Sequence, residues 1–189
     1  MPLTNISAYR LAGHQIEDED IDPDARLETS KFATRTLRKT IPAVACLKAG
    51  AGVVSVVSGS VLAGVTLPDA NAGNLYMSFP KPAEYDSGDV VLKILWNSAA
   101  TAGDLKLTSD IKTATTGSTT ASGATDSGTD TADGTTTDLS ELSITIAAAD
   151  FNANEFIGLN ISRDPTDVAD DIAADVIVFA IAMEFTGRG

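Results

Sequence analysis

The residue type in best supply for chemistry along this 189-residue chain is aspartate. Asp164, Asp167, Asp170, Asp171 and Asp175 crowd the stretch "RDPTDVADDIAAD", and oxygen ligands in that number can hold Ca²⁺. The spacing lacks the glycine and the terminal glutamate of an EF-hand loop, which favours a solvated loop capping a short helical turn. Asp126, Asp130, Asp133 and Asp138 are spread more thinly through a Thr/Ser/Gly tract. His14 is the only histidine and Cys46 the only cysteine. That excludes a multi-His or multi-Cys metal cluster and any intrachain disulfide. Neither residue has a partner at a spacing that marks a nucleophile and its base. No pair of carboxylates is singled out for acid–base work, and "GAG" at Gly50 to Gly52 does not complete a phosphate-binding loop. The sequence therefore predicts no catalytic residue and no cofactor, with Ca²⁺ at the Asp164 cluster as the one metal the residues allow. The "NIS" sequons at Asn5 and Asn160 read as chance matches.

The basic residues are fewer and clustered. Lys31, Arg35, Arg38 and Lys39 fall on one face of a helix expected through "ARLETSKFATRTLRK", with Asp22 as N-cap, Pro23 in the first turn and Pro42 as the stop. An acidic run, Glu17 to Asp24, precedes it. One reading is a solvated helix with charges that suit its dipole. The other is an assembly arm whose Lys31, Arg35, Arg38 and Lys39 dock on an acidic neighbouring subunit. The formal net charge of −13 repels phosphate backbones and anionic lipid, so nucleic acid is not expected as the main partner. Many aspartates against few lysines also suit a high-salt, halophilic or marine setting.

These residues need a scaffold, and period-two patterning supplies it. From Asn74 onward Leu75, Met77 and Phe79 share one side of a strand, as do Val90, Leu92, Ile94 and Trp96. Leu105, Leu107 and Ile111 oppose Lys106, Thr108, Asp110 and Lys112, which predicts a strand with one wet face. Leu142, Ile144 and Ile146 form another row, and Ile157, Leu159 and Ile161 another. In "DVIVFAIAMEF" the residues Ile177, Phe179, Ile181, Met183 and Phe185 align, and the opposite side is nearly apolar too, which predicts a central strand. "YDSGD" and "TAGD" read as turns between strands. At least six such strands predict an all-β antiparallel sandwich. Thr115 to Asp138 carries no apolar side chain larger than alanine. Three strands on either side are too few for two separate cores, so it is expected to be a surface excursion within one domain, with short Thr-rich edge strands.

The uncharged stretch Ala49 to Leu67 nearly matches a bilayer span. Its glycines, serines and paired valines read instead as two short strands, so no transmembrane span is expected. Met1 to Asp20 lacks the basic start and apolar run of a signal peptide. Alternation is lost before Asn74. The expected division is thus residues 1–73 as an arm with a Gly/Val-rich segment, ordered mainly by other subunits, and residues 74–189 as the sandwich.

The stretch "LYMSFPKPAEYDSGDVVLKILWNSAATAGDLKL", the variable Thr/Gly/Asp middle and "FIGLNISRDPTDVADDIAADVIVFAIAMEF" together resemble virion structural proteins of viruses and bacteriophages built as single jelly rolls. The shared features are an extended strand ending in proline, a Trp-bearing strand before a small-residue turn, and a late strand ending in Arg-Asp ahead of an Asp/Ala loop. That resemblance implies a virion location and a capsid or capsid-associated (decoration) subunit. It would act by self-assembly with other copies and other virion proteins, as a homo-oligomer, for example a trimer. The alternative is a receptor- or carbohydrate-binding sandwich of a viral fibre or spike. That reading asks for exposed aromatics on loops, whereas the only tryptophan, Trp96, falls on a predicted core row.

Overall fold

The computed structural model describes residues 34–58, 62–115, 123–135, 138–152 and 156–188. Eleven strands among them form two antiparallel sheets that face one another as a β-sandwich. One sheet has the order β3 (Val54–Ser58), β4 (Leu62–Leu67), β11 (Val176–Arg188), β6 (Tyr85–Ser98) and β9 (Ser140–Ile146), and β1 (Thr34–Pro42) also pairs with β11. The other runs β2 (Leu47–Ala49), β5 (Gly73–Pro80), β10 (Phe156–Arg163), β7 (Asp104–Ala114) and β8 (Thr125–Thr131). A single helical turn, α1 (Ala148–Asn152), follows β9.

The period-two rows are the core. Leu75 and Met77 of β5, Val90, Leu92, Ile94 and Trp96 of β6, Leu105, Leu107 and Ile111 of β7, Leu142, Ile144 and Ile146 of β9, and Ile157, Leu159 and Ile161 of β10 are all buried in one cluster. Each such side chain withdrawn from water contributes roughly 1.5–3 kcal/mol. Strands before and after the Thr/Ser/Gly/Asp tract share ladders, β7 with β10 and β6 with both β9 and β11, so one domain spans it. The tract itself supplies β8, an edge strand on β7.

β11 is central, as its two apolar sides predict, with β4 and β1 along one edge and β6 along the other. Its alternation is interrupted. A register shift between Val178 and Ala180 inserts one residue, so Val176 and Val178 share the core with Ile181, Met183 and Phe185. A bulge moves every later side chain to the opposite face, which is why Ile177 does not join the row expected for it. A second irregularity corrects "YDSGD": β6 runs through it, and Gly88, at φ +85°, takes a conformation that side chains rarely adopt.

Three expectations for residues 1–73 are corrected. Thr34 to Lys39 is strand, not helix, and pairs with β11 from Arg188 inwards. Leu37 and Ile41 lean on the core, and their spacing of four suits either a helix face or a strand face, while Thr34, Thr36 and Thr40 favour the strand. Residues 34–67 contribute β1 to β4, so the sandwich includes strands well before Asn74, and this stretch is ordered by its own domain. The start of the expected helix, with Asp22, Pro23 and Lys31, lies outside the described residues, as do His14 and Asn5. Val54 to Leu67 holds the two short strands expected of it, and among the described residues no helix is long and apolar enough to cross a membrane.

Candidate functional site

The outward face of the β2–β5–β10–β7–β8 sheet collects side chains of mixed character. Alternation that sends Leu75, Met77, Leu159 and Ile111 inwards sends Tyr76, Asn160 and Asp110 outwards. Strand register places these last three side by side in one row, Leu47–Tyr76–Asn160–Asp110–Thr125, which crosses all five strands. On one side of it lies Ala49–Asn74–Ser162–Thr108–Ser127, and on the other Ser78–Gly158–Lys112.

Tyr76, 40% exposed, is the aromatic of the central row. It stands between two open depressions. One, of about 520 Å³, is bordered by Tyr76, Ser78, Asp110, Lys112 and Asn160. Gly158 lies on its floor, where a Cβ would meet nothing closer than 3.7 Å, so the missing side chain is what leaves the space. The other, of about 470 Å³, lies toward Ile41, Ala45 and Leu47, the last 73% exposed.

The polar groups beside the ring are held in place. Asn160 Nδ2 donates to Asn74 Oδ1 at 3.1 Å and to Asp110 Oδ2 at 3.4 Å, and Thr125 Oγ1 donates to Asp110 Oδ1 at 2.6 Å. Lys112 is exposed at the rim and forms no ion pair among the described residues. An aromatic plane next to a fixed amide and carboxylate, with an ammonium at the rim, suits a ligand with an apolar face and a hydroxylated edge. "LYMSFP" concealed Tyr76, because both of its sides are apolar or aromatic and the core row drew the reading. Asn160, met first as a sequon, is in this row.

The aspartate and basic clusters singled out in the sequence make other contacts. Asp164 accepts from the backbone N–H and hydroxyl of Thr166, which hold its carboxyl below the ordinary range. Asp167 accepts from Lys106 Nζ at 2.6 Å and from the Ala169 N–H, and its carboxyl is likewise lowered, chiefly by the lysine. Asp171 Oδ1 takes the Asp104 N–H, and Asp175 Oδ1 takes the Asp69 N–H at 3.0 Å. Asp170 is consumed by Arg163, which the sequence reading did not single out. Among the described residues no three His, Cys, Asp or Glu side chains come together as a metal site. Through these contacts Asp164, Asp167, Asp170 and Asp171 fasten the β10–β11 loop.

Of the basic residues, Arg38 lies 3.6 Å from Glu141 and 3.5 Å from Glu184, and Lys39 Nζ donates to Glu84 at 2.9 Å, which lowers the Glu84 carboxyl. The acidic partner expected in a neighbouring subunit is, for these two, the chain's own sandwich. Arg35 is exposed at the start of β1. Cys46 is buried, and that burial pushes its thiol up, away from the reactive thiolate. Trp96 is in the core, as expected, and its indole N–H donates to Asp130 Oδ2 at 2.8 Å.

No family model matches the chain, and no curated protein is similar to it. Among solved structures it is similar to the CBM36-1 domain of a multidomain xylanase from the hindgut metagenome of Trinervitermes trinervoides, at 12% identity and a TM-score of 0.52 over 78% of this chain and 96% of that one. It is also similar to the carbohydrate-binding module CBM36 in complex with calcium and xylotriose, at 17% identity and a TM-score of 0.50 over 77% of this chain and 98% of that one. At such identities the likeness is one of fold. It corrects the expected capsid or capsid-associated role: these two sandwiches are carbohydrate-binding modules, and the strand pattern read as a shell subunit reports an architecture that they share.

Proposed function

We propose that the chain is a carbohydrate-binding β-sandwich that takes a glycan on the outward face of the β2–β5–β10–β7–β8 sheet. The observation that carries this reading is Tyr76. It is an exposed ring on a sheet face, flanked by two depressions and by Asn160, Asp110 and Lys112 in fixed register. A pyranose presents a C–H face that packs on such a ring while its hydroxyls exchange hydrogen bonds with the amide and carboxylate beside it. The module binds and releases without turnover. The fold likeness to carbohydrate-binding modules supports the reading, and the resemblance to virion proteins adds a setting for it, a fibre or spike that meets glycans.

Electrophoresis of the protein through gels containing soluble xylan, mixed-linked glucan or galactan tests this. Retardation by at least one polysaccharide, lost in Tyr76→Ala, is the expected result. Free migration of the unaltered protein through every one of them contradicts it.

A further inference from the structure

Five strands among the described residues, β1, β2, β3, β8 and β9, pair with one neighbour only, and four are blunted; β1 carries Arg35, Arg38 and Lys39 and ends in Pro42. β8 closes against β9: Gly128 comes so near Ser143 that an added Cβ would overlap its carbonyl oxygen. β2 is only three residues long and carries Lys48. β3 is different. It pairs with β4 on one side only, and its sequence, "VSVVS", has no charge, no proline and no bulge. Those are the devices by which sheet edges avoid other chains.

The sequence around β3 is equally neutral. Ala49 to Leu67 contains no charged residue, in a chain with 26 acidic and 13 basic side chains. Val54 and Leu62, at opposite ends of the β3–β4 ladder, are 52% and 46% exposed. Most surfaces of a molecule with a net charge of −13 repel a second copy. Neither β3 nor β4 would bring a carboxylate to a second copy at this edge. An antiparallel ladder between identical strands also has the two-fold symmetry that a closed pair requires.

We propose that the β3 edge is where two copies of this chain associate, main chain to main chain and antiparallel, joining their β3–β4–β11–β6–β9 sheets into one. The Tyr76 row belongs to the other sheet and stays free. If that row binds glycan as proposed above, the pair presents it twice and gains avidity on a repeating polymer. The pairing itself stands independently of the ligand.

Sedimentation velocity over a concentration series, joined to hydrogen exchange, tests the proposal on the full chain. A dimer whose fraction rises with concentration is expected, with amides of Val54–Ser58 gaining protection as it forms. Val54→Lys, at a half-exposed position, should weaken association by at least ~10-fold through like charges across the two-fold, with unchanged thermal unfolding. Ser55→Lys should do the same, which guards against a folding defect in either variant. A protein that stays monomeric at its highest soluble concentration overturns the proposal. So does a dimer whose β3 amides remain unprotected, or one that survives both lysines.

Discussion

Arg163 Nε and Nη2 each donate at 2.9 Å to a different carboxylate oxygen of Asp170, and both side chains are sealed from solvent. The remaining guanidinium protons reach the carbonyls of Ile172 at 2.8 Å, Ala174 at 2.9 Å and Leu67 at 3.3 Å. One cation at the end of β10 thus ties the β10–β11 loop to the end of β4. With Asp69 Oδ1 also 3.5 Å from Nη2, a loop crowded with aspartates is closed by a guanidinium. Removing one partner of a buried pair leaves the other charge uncompensated, so Arg163→Met should cost about 3–5 kcal/mol. Arg163→Lys should recover little, because an ammonium cannot serve carbonyls and a carboxylate in one plane. Urea unfolding at neutral pH measures both.

Trp96 and Asp130 form a second long-range tie, joining the core of the β6 sheet to the edge strand β8. Asp130→Ala leaves a buried indole N–H without its acceptor, at a cost of about 1–3 kcal/mol. In a Trp96→Phe background the same change should cost markedly less, because the lost contact is shared. A double-mutant cycle from denaturant curves gives the coupling.

Asp126 carries a pH dependence of opposite sign to that of the loop aspartates. Burial, then the nearby Asp150 charge, raises its carboxyl above 3.8. Its Oδ2 and the Oγ of its cross-strand neighbour Ser109 are enclosed without partners among the described residues. A raised folded value means the native state holds the proton longer than the unfolded chain. Its contribution is therefore favourable below the unfolded value and is lost as pH rises through the folded one. Asp126→Asn should raise the melting temperature at neutral pH, and the advantage should disappear in acid below about 3.8, the ordinary aspartate value. Melting curves across that range check the sign.

Much of the sandwich was legible because burial on one sheet face writes a period of two into the sequence. Leu142, Ile144 and Ile146 announce β9, and all three are buried. What was not legible involved either an extra residue or a distant partner. The bulge before Ala180 changes faces without any local marker. β1 escaped because its apolar residues, Leu37 and Ile41, fit two periods, and the β11 edge that decides between them lies more than 140 positions away, as the pairing of Leu37 with Phe185 shows. The ties within the acidic loop were not legible, because sequence spacing does not reveal that Arg163 reaches back into it, nor that Leu67, 96 residues earlier, shares the same guanidinium. Tyr76 became a site residue only once strand register set Asn160 and Asp110 beside it.

Isothermal titration of a binding polysaccharide's oligosaccharides into the protein, Tyr76→Ala and Asn160→Ala tests the central claim most directly. Tyr76 is a surface residue, so its truncation should leave thermal unfolding nearly unchanged. Loss of an aromatic anchor should weaken binding by roughly 2 kcal/mol or more, about 30-fold, and loss of the Asn160 amide by a smaller factor. Affinity that is unaltered in Tyr76→Ala would place the glycan elsewhere on the molecule and contradict the account.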